Sequence, residues 1–202
     1  MNSGVGILAY GSLIREPGIE IEPFITRRIL TETPFGVEYG RLSRSRGGGP
    51  TVVPHLVGRP VSAEILVLNE QVPLAQAKDV LWRREVRKEG TGRRYVPGNT
   101  PNSVLVRDWG AYEGVAHVLY TDFPEAGKFA APTAELLARA AVASVANARP
   151  GKDGISYLVQ LIGSGVETAL TADYTAAVLR LTGAASLQQA LTGLQGPRVE
   201  EP

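Results

Sequence analysis

The chain has 202 residues, 44% of them hydrophobic and 20% charged, with 21 basic against 20 acidic side chains. That length and balance suit one globular domain with a substantial core, and a net charge of +1 supplies no global field toward nucleic acid or an anionic membrane. Cysteine is absent, which excludes disulfides, thiolate metal sites and a cysteine nucleophile, and fits a reducing compartment with the cytoplasm as the default location.

Val5 to Ala9 is a short, nearly continuous apolar run that ends at Gly11, the pattern of a strand covered on both faces. Phe35, Val37 and Tyr39 alternate with Gly36, Glu38 and Gly40, a period of two. Arg44 to Pro50, with three consecutive glycines, reads as a loop, and the PTVVP segment that closes it as a short extended piece. Val61 to Leu68 predicts a longer strand with Val61, Ala63, Ile65 and Val67 on one face. A helix is predicted from Pro73 to about Glu85, because Leu74, Ala77 and Leu81 keep to one face and a first turn tolerates proline. Ser103 to Val106 and Gly114 to Tyr120 give two further extended runs.

Past Pro132 the texture becomes helical. Thr133 is placed to cap a helix running to about Asn147, and Gly154 to Ile162 carries apolar side chains at Ile155, Leu158, Val159 and Ile162. Thr171 is placed to cap a helix that ends near Gly183. Strands first with one embedded helix, then helices, define an α+β protein rather than a series of parallel βαβ repeats. The expected organisation is a single domain over 1–195, with a core at about 5–125 and a helical extension at about 130–195, followed by a tail at 196–202. No stretch approaches the roughly 20 apolar residues of a membrane span, and the first residues lack the basic start and apolar core of a secretory signal.

Two features carry chemistry. A strand running into Tyr10-Gly11-Ser12-Leu13 turns sharply at the glycine, so the amides of the next residues can project from the sheet end toward a small anionic group or a developing oxyanion. The second is Glu85, four residues after Leu81, which extends the apolar face of the helix and so sets a carboxylate against apolar surface. Desolvation and the negative helix end favour its neutral form, while Arg83, Arg84 and Arg87 favour its charged form. A carboxyl under such opposed influences at a cleft edge suits a general base that later acts as an acid.

In order along the chain, ILAYGSLI, FGVEYGRLS, VSAEILVLN and LWRREVRKEGTGRRYV resemble the gamma-glutamylcyclotransferase-like family over roughly residues 5–120. The resemblance implies an α+β fold built on a mixed β-barrel with flanking helices and a helical C-terminal portion. It implies that Tyr10, Gly11, Ser12 and Leu13 form the loop cradling the glutamyl group, that Glu85 is the acid/base, and that Tyr95 is the tyrosine following the catalytic glutamate in relatives. Leu13, where other members have asparagine, is similar to the glutathione-acting branch. The interval from Glu85 to Tyr95 is longer than in typical members, and Glu89 also precedes a glycine, so it competes with Glu85; the helical face selects Glu85.

The implied reaction is intramolecular acyl transfer. The substrate's own α-amino group attacks the γ-carbonyl and releases 5-oxoproline and an amine, which needs neither cofactor nor metal. The expected partner is a small γ-glutamyl molecule: glutathione, a γ-glutamyl peptide or a γ-glutamylamine. Arg41, Arg44 and Arg46 are candidates to bind its carboxylates, against the plainer reading of a solvated loop. The alanine-rich C-terminal helices can lid the pocket or form a homodimer surface.

Rival chemistries have less to stand on. A serine hydrolase needs a base for Ser12, only His55 and His117 exist, and the Gly-x-Ser-x-Gly elbow is missing. Neither GVGILAYG nor Gly47 to Gly49 has the context of a nucleotide-binding glycine motif, and two separated histidines make a poor metal site. The basic run from Arg83 to Arg94, flanked by Trp82 and Tyr95, reads as a solvated face rather than a nucleic-acid surface. The more serious alternative is a protein of the same fold that binds a small metabolite without turning it over.

Overall fold

The computed structural model describes residues 3–195, so the tail expected at 196–202 lies outside the described residues. The chain is mixed α+β and divides into two compact units. One comprises the chain up to Pro34 together with Pro60–Lys128, the other Phe35–Arg59 together with the chain from Phe129 onward.

The first unit is built on a five-stranded sheet. Its strands are β1 (Ser3–Ala9), β2 (Ile25–Glu32), β5 (Ser62–Leu68), β6 (Leu105–Asp108) and β7 (Val115–Asp122), in the order β2-β5-β1-β7-β6. Strand β1 is central. It runs antiparallel to β5, with Ile7 opposite Leu66, and parallel to β7, with Ile7 opposite Leu119. A central strand buries both faces, which is why Val5 to Ala9 reads as an unbroken apolar run. Helix α1 (Leu74–Glu85) covers one face, where Ala77, Val80 and Leu81 join Ile7, Leu66, Leu68 and Leu119 in one core cluster. Leu8 and its partner Ile65, on the opposite face by strand alternation, are also fully buried.

Strand β2 has no counterpart among the predicted elements. It is an edge strand whose Arg27, Arg28 and Leu30 are exposed, Leu30 by 82%, so it lacks the apolar alternation that marks a half-buried strand. Arg28 fixes it by donating to the Glu64 carboxylate on β5 and the Ile14 carbonyl, both at 2.8 Å. The mixed β-barrel implied by the resemblance is not formed: the ladder ends at β2 on one side and at the four-residue β6 on the other. The sheet is nevertheless curled. The Tyr112 hydroxyl, from the β6 to β7 connection, donates to the Glu32 carbonyl at 3.1 Å and accepts from Thr31 Oγ1 at 3.2 Å, both on the opposite edge strand.

The second unit pairs β3 (Val37–Ser43) with β4 (Gly49–Pro54) as an antiparallel hairpin, accompanied by α2 (Ala134–Val145), α3 (Gly154–Ile162), α4 (Thr171–Thr182) and α5 (Leu187–Gln195). The period of two in β3 does not separate a wet face from a dry one. Glu38 is buried, its carboxylate accepting from the amides of Tyr39 (2.8 Å) and Leu170 (3.2 Å). Tyr39 and Tyr174 meet edge to face with ring centroids 5.0 Å apart. Thr133 caps α2 as expected, its side chain accepting from the Leu136 amide. Thr171 does not cap α4: Leu170 holds that position, and Thr171 Oγ1 accepts from the Thr168 amide at 2.8 Å. Helix α4 ends at Gly183 in the left-handed conformation, while α5, which buries only Leu187 and Ala190, was not among the predicted helices.

The triglycine segment is structural. Gly47 and Gly48 have φ of +63° and +86°, and a Cβ on Gly49 would lie 2.6 Å from the Gly154 amide nitrogen at the start of α3. Gly49→Ala is therefore expected to cost about 2 kcal/mol through backbone overlap. Gly48→Ala, with nothing within 4 Å of its Cβ, should cost about 1 kcal/mol from the left-handed backbone alone. Thermal unfolding of the two variants checks the order; equal Tm values would show that the Gly49 to Gly154 approach is not the constraint.

Candidate functional site

Tyr10 to Leu13, Glu85, Glu89 and Tyr95 all lie in the first unit, where the turn after β1 is bonded to the end of α1. After Ala9, Tyr10 is buried and its hydroxyl donates to the Thr121 carbonyl on β7 at 3.0 Å. Its phenol is thus tied to the sheet. Gly11 precedes a single 3-10 turn over Ser12–Ile14, closed by Ile14 N–H to the Gly11 carbonyl at 3.2 Å and Glu16 N–H to the Ser12 carbonyl at 2.8 Å. Leu13 is buried in the same cluster as Ile21 and Leu81, so its side chain anchors the turn. The first amides of a helical turn have no acceptor within it, which leaves the N–H groups of Ser12 and Leu13 as the donors this turn can present.

Helix α1 ends in a Schellman closure. Arg87 N–H bonds to the Arg84 carbonyl at 3.2 Å and Lys88 N–H to the Arg83 carbonyl at 2.8 Å, with Arg87 at φ +55° in the position that glycine usually fills. Three side chains meet the 12–20 segment here, two from the last turn of the helix and one, Glu89, from the chain that follows the closure. Arg84 donates from Nη2 to Ser12 Oγ at 3.0 Å and to the Glu16 carbonyl at 2.6 Å. Glu89 lies against Gly18, whose φ is +99°; a Cβ there would overlap the Glu89 carboxyl. Arg83, buried, donates from Nε to the Glu20 carboxylate at 2.8 Å and from Nη1 to the Arg93 carbonyl at 2.6 Å.

Glu85 has 21% of its side chain exposed, and its Oε1 accepts from Arg84 Nη1 at 2.7 Å. One guanidinium therefore holds Ser12 Oγ and Glu85 Oε1 together, which sets them no more than about 8 Å apart given the two bond lengths and the span of the fork. The three arginines expected to surround Glu85 divide: Arg84 pairs with it and Arg83 pairs with Glu20, while Arg87 is exposed beyond the helix end. Glu89 differs in kind, because its Oε1 is buried and has no hydrogen-bond partner. Tyr95 is tied to the same helix, its N–H donating to Asp79 Oδ1 at 2.7 Å and its hydroxyl accepting from the Val106 amide at 3.0 Å.

Arg41, Arg44 and Arg46 belong to the second unit, where the Arg46 guanidinium lies 4.0 Å from the Tyr157 ring centroid. The two histidines fall in different units. His55 bonds through Nε2 to the Phe129 carbonyl at 2.7 Å, and His117 pairs through Nδ1 with Asp108 at 2.8 Å, a dyad that sequence spacing did not disclose. The Ser12 hydroxyl accepts from Arg84, a side chain that cannot take a proton. Among the described residues, no cluster of three or more His, Cys, Asp or Glu could hold a metal, and no helix is long and apolar enough to cross a membrane. A cavity of about 520 Å³ in the first unit is lined by Ser3, Gly4, Arg27 and Gln71, among others, at the opposite end of β1 from the turn.

Comparison with known proteins finds no matching family model, no matching curated protein and no matching solved structure. The functional reading accordingly stands on the geometry of this site and on the sequence motifs that occupy it.

Proposed function

We propose that this chain is a γ-glutamylcyclotransferase-type enzyme that releases 5-oxoproline from a small γ-glutamyl substrate, on an open variant of that family's sheet. The observation that carries the reading is the joining of the Ser12 turn and Glu85 by one guanidinium. A γ-glutamyl unit contains both electrophile and nucleophile, so the protein has to fold it and move protons. With the γ-carbonyl oxygen on the Ser12 and Leu13 amides, the developing oxyanion is stabilised by donors already in place. The neutral α-amino nitrogen attacks the γ-carbonyl carbon, forming the ring C–N bond, as Glu85 takes a proton from that nitrogen. The tetrahedral intermediate collapses with cleavage of the γ-amide C–N bond, and the same proton passes from Glu85 to the departing amine. Tyr95, whose hydroxyl accepts from Val106 N–H, retains a hydrogen to donate to substrate.

The pairing of Glu85 with Arg84 favours a second reading, because a carboxylate oxygen that would take the proton is already occupied by a guanidinium N–H. In that reading the protein binds a γ-glutamyl or similar anionic metabolite without turnover. Incubation of the purified protein with glutathione, γ-glutamyl dipeptides and γ-glutamylamines separates the two. Formation of 5-oxoproline is the expected result. Saturable binding with no product establishes the binder, and free glutamate in place of the cyclic product establishes a hydrolase.

A further inference from the structure

Arg84 is the most heavily committed polar side chain of the site. A guanidinium has five N–H donors, and four are used here: Nε to the Glu16 carbonyl at 3.2 Å, Nη2 to the same carbonyl at 2.6 Å and to Ser12 Oγ at 3.0 Å, and Nη1 to Glu85 Oε1 at 2.7 Å. Its side chain is only 13% exposed. The planar fork fixes the angle between these partners as well as their distances, which a flexible ammonium cannot do. Its stem is held in turn, because the Cγ of Arg84 lies beside Gly18, within 2.9 Å of where a Cβ would stand. The two halves of the site come from distant parts of the sequence, and this side chain bonds to both.

We propose that Arg84 is a positioning residue that locks the Ser12 turn and the Glu85 carboxylate into one rigid geometry. Its kinetic consequence rests on the γ-glutamyl reading above; its structural consequence does not. Without the fork, Ser12 Oγ and the Glu16 carbonyl lose their donor, and Glu85 Oε1 loses the N–H that ties it to the same group. A displacement of about 1 Å between reacting groups costs on the order of 100-fold in rate.

The test uses Arg84→Ala and Arg84→Lys in the full chain, with the γ-glutamyl compound that wild type turns over. Both variants are expected to lose about 30- to 100-fold in kcat with KM changed less than about threefold. Millimolar guanidinium should restore Arg84→Ala by about tenfold and leave Arg84→Lys and wild type unaffected, because only the first variant vacates a fork-shaped space. Amide hydrogen exchange at residues 12–16 should quicken by about tenfold or more in both. Unchanged exchange at 12–16 overturns the proposal whatever the activity, and so does full kcat in both variants while Glu85→Gln is inactive. If wild type makes no 5-oxoproline, the functional reading falls, and the exchange measurement alone then decides the role of Arg84.

Discussion

Replacing Glu85 with glutamine lowers the rate of 5-oxoproline release by about 10²- to 10⁴-fold, the range a positioned acid/base contributes, with KM changed little. Glutamine is the informative substitution because its Oε1 still accepts from Arg84 Nη1, now 2.7 Å away, so the turn and the helix end keep their geometry while the proton acceptor is lost. Single-turnover kinetics with the wild-type substrate provides the measurement. Glu89→Gln is the matched control. Its carboxyl is on the same return of the chain, but it packs on Gly18 and its buried Oε1 has no partner. A neutral amide there is expected to leave kcat within about threefold of wild type. The opposite outcome, with Glu89→Gln inactive and Glu85→Gln active, transfers the acid/base role to Glu89 and with it the approach direction of the substrate. Loss in neither variant removes the carboxylate mechanism altogether.

How much of this was readable beforehand depends on where each element lies. Strand β1 and α3 announce themselves because their environments are simple: one is central in a sheet, and the other buries Ile155, Leu158 and Leu161 along one face. Helix α1 is legible for the same reason. Strand β2 is not, since an edge strand that shows Arg27, Arg28 and Leu30 to solvent has no alternation to detect. Nor does any period disclose that the β3 and β4 hairpin packs with helices more than 80 residues downstream, a long-range choice made by tertiary contacts. The β3 and β4 strands pair with each other as a separate two-stranded sheet. At the site, the helical face selects Glu85, but it cannot apportion Arg83 and Arg84, the first pairing with Glu20 and the second with Glu85. Successive helical residues lie about 100° apart, so one turns toward Glu20 and the core while the next turns toward the Ser12 turn. The left-handed Arg87 that redirects the chain toward Gly18 carries no glycine to betray it.

The ion pair between Glu20 and Arg83 should be the largest single polar contribution to the stability of the first unit. Arg83 is buried at 8% exposure, Glu20 retains 20%, and the Nε to Oε2 distance is 2.8 Å. Removing one partner of a buried pair strands the other; since Glu20 keeps some contact with water, Glu20→Gln is expected to cost about 2–3 kcal/mol, below the full range for a completely buried pair. For a chain of this size that lowers Tm by roughly 5–10 °C. The hydrogen bond from Arg83 holds the Glu20 carboxyl below its ordinary value of 4.5, against an opposing push from desolvation and with further help from the Arg83 charge and the Gly90 amide. Because the folded-state value is the lower one, the unfolded chain binds the proton more readily, and the stabilisation is complete above about pH 4.5 and lost as pH falls through the folded value. Urea unfolding of wild type and Glu20→Gln should therefore show a wide gap at pH 7 that narrows progressively below pH 4.5, as the wild-type carboxyl becomes protonated and resembles the amide. A gap that stays constant down to pH 3 would show that the variant acts through packing of the 12–20 segment and not through charge. Replacing both partners with apolar side chains of similar size, Glu20→Leu with Arg83→Met, should recover most of the lost stability at neutral pH, because neither variant side chain leaves a buried charge behind. It would also abolish that pair's pH dependence, leaving two polar groups of the network without their partners: the Arg93 carbonyl, which now accepts from Arg83 Nη1 at 2.6 Å, and the Gly90 amide, which now donates to Glu20.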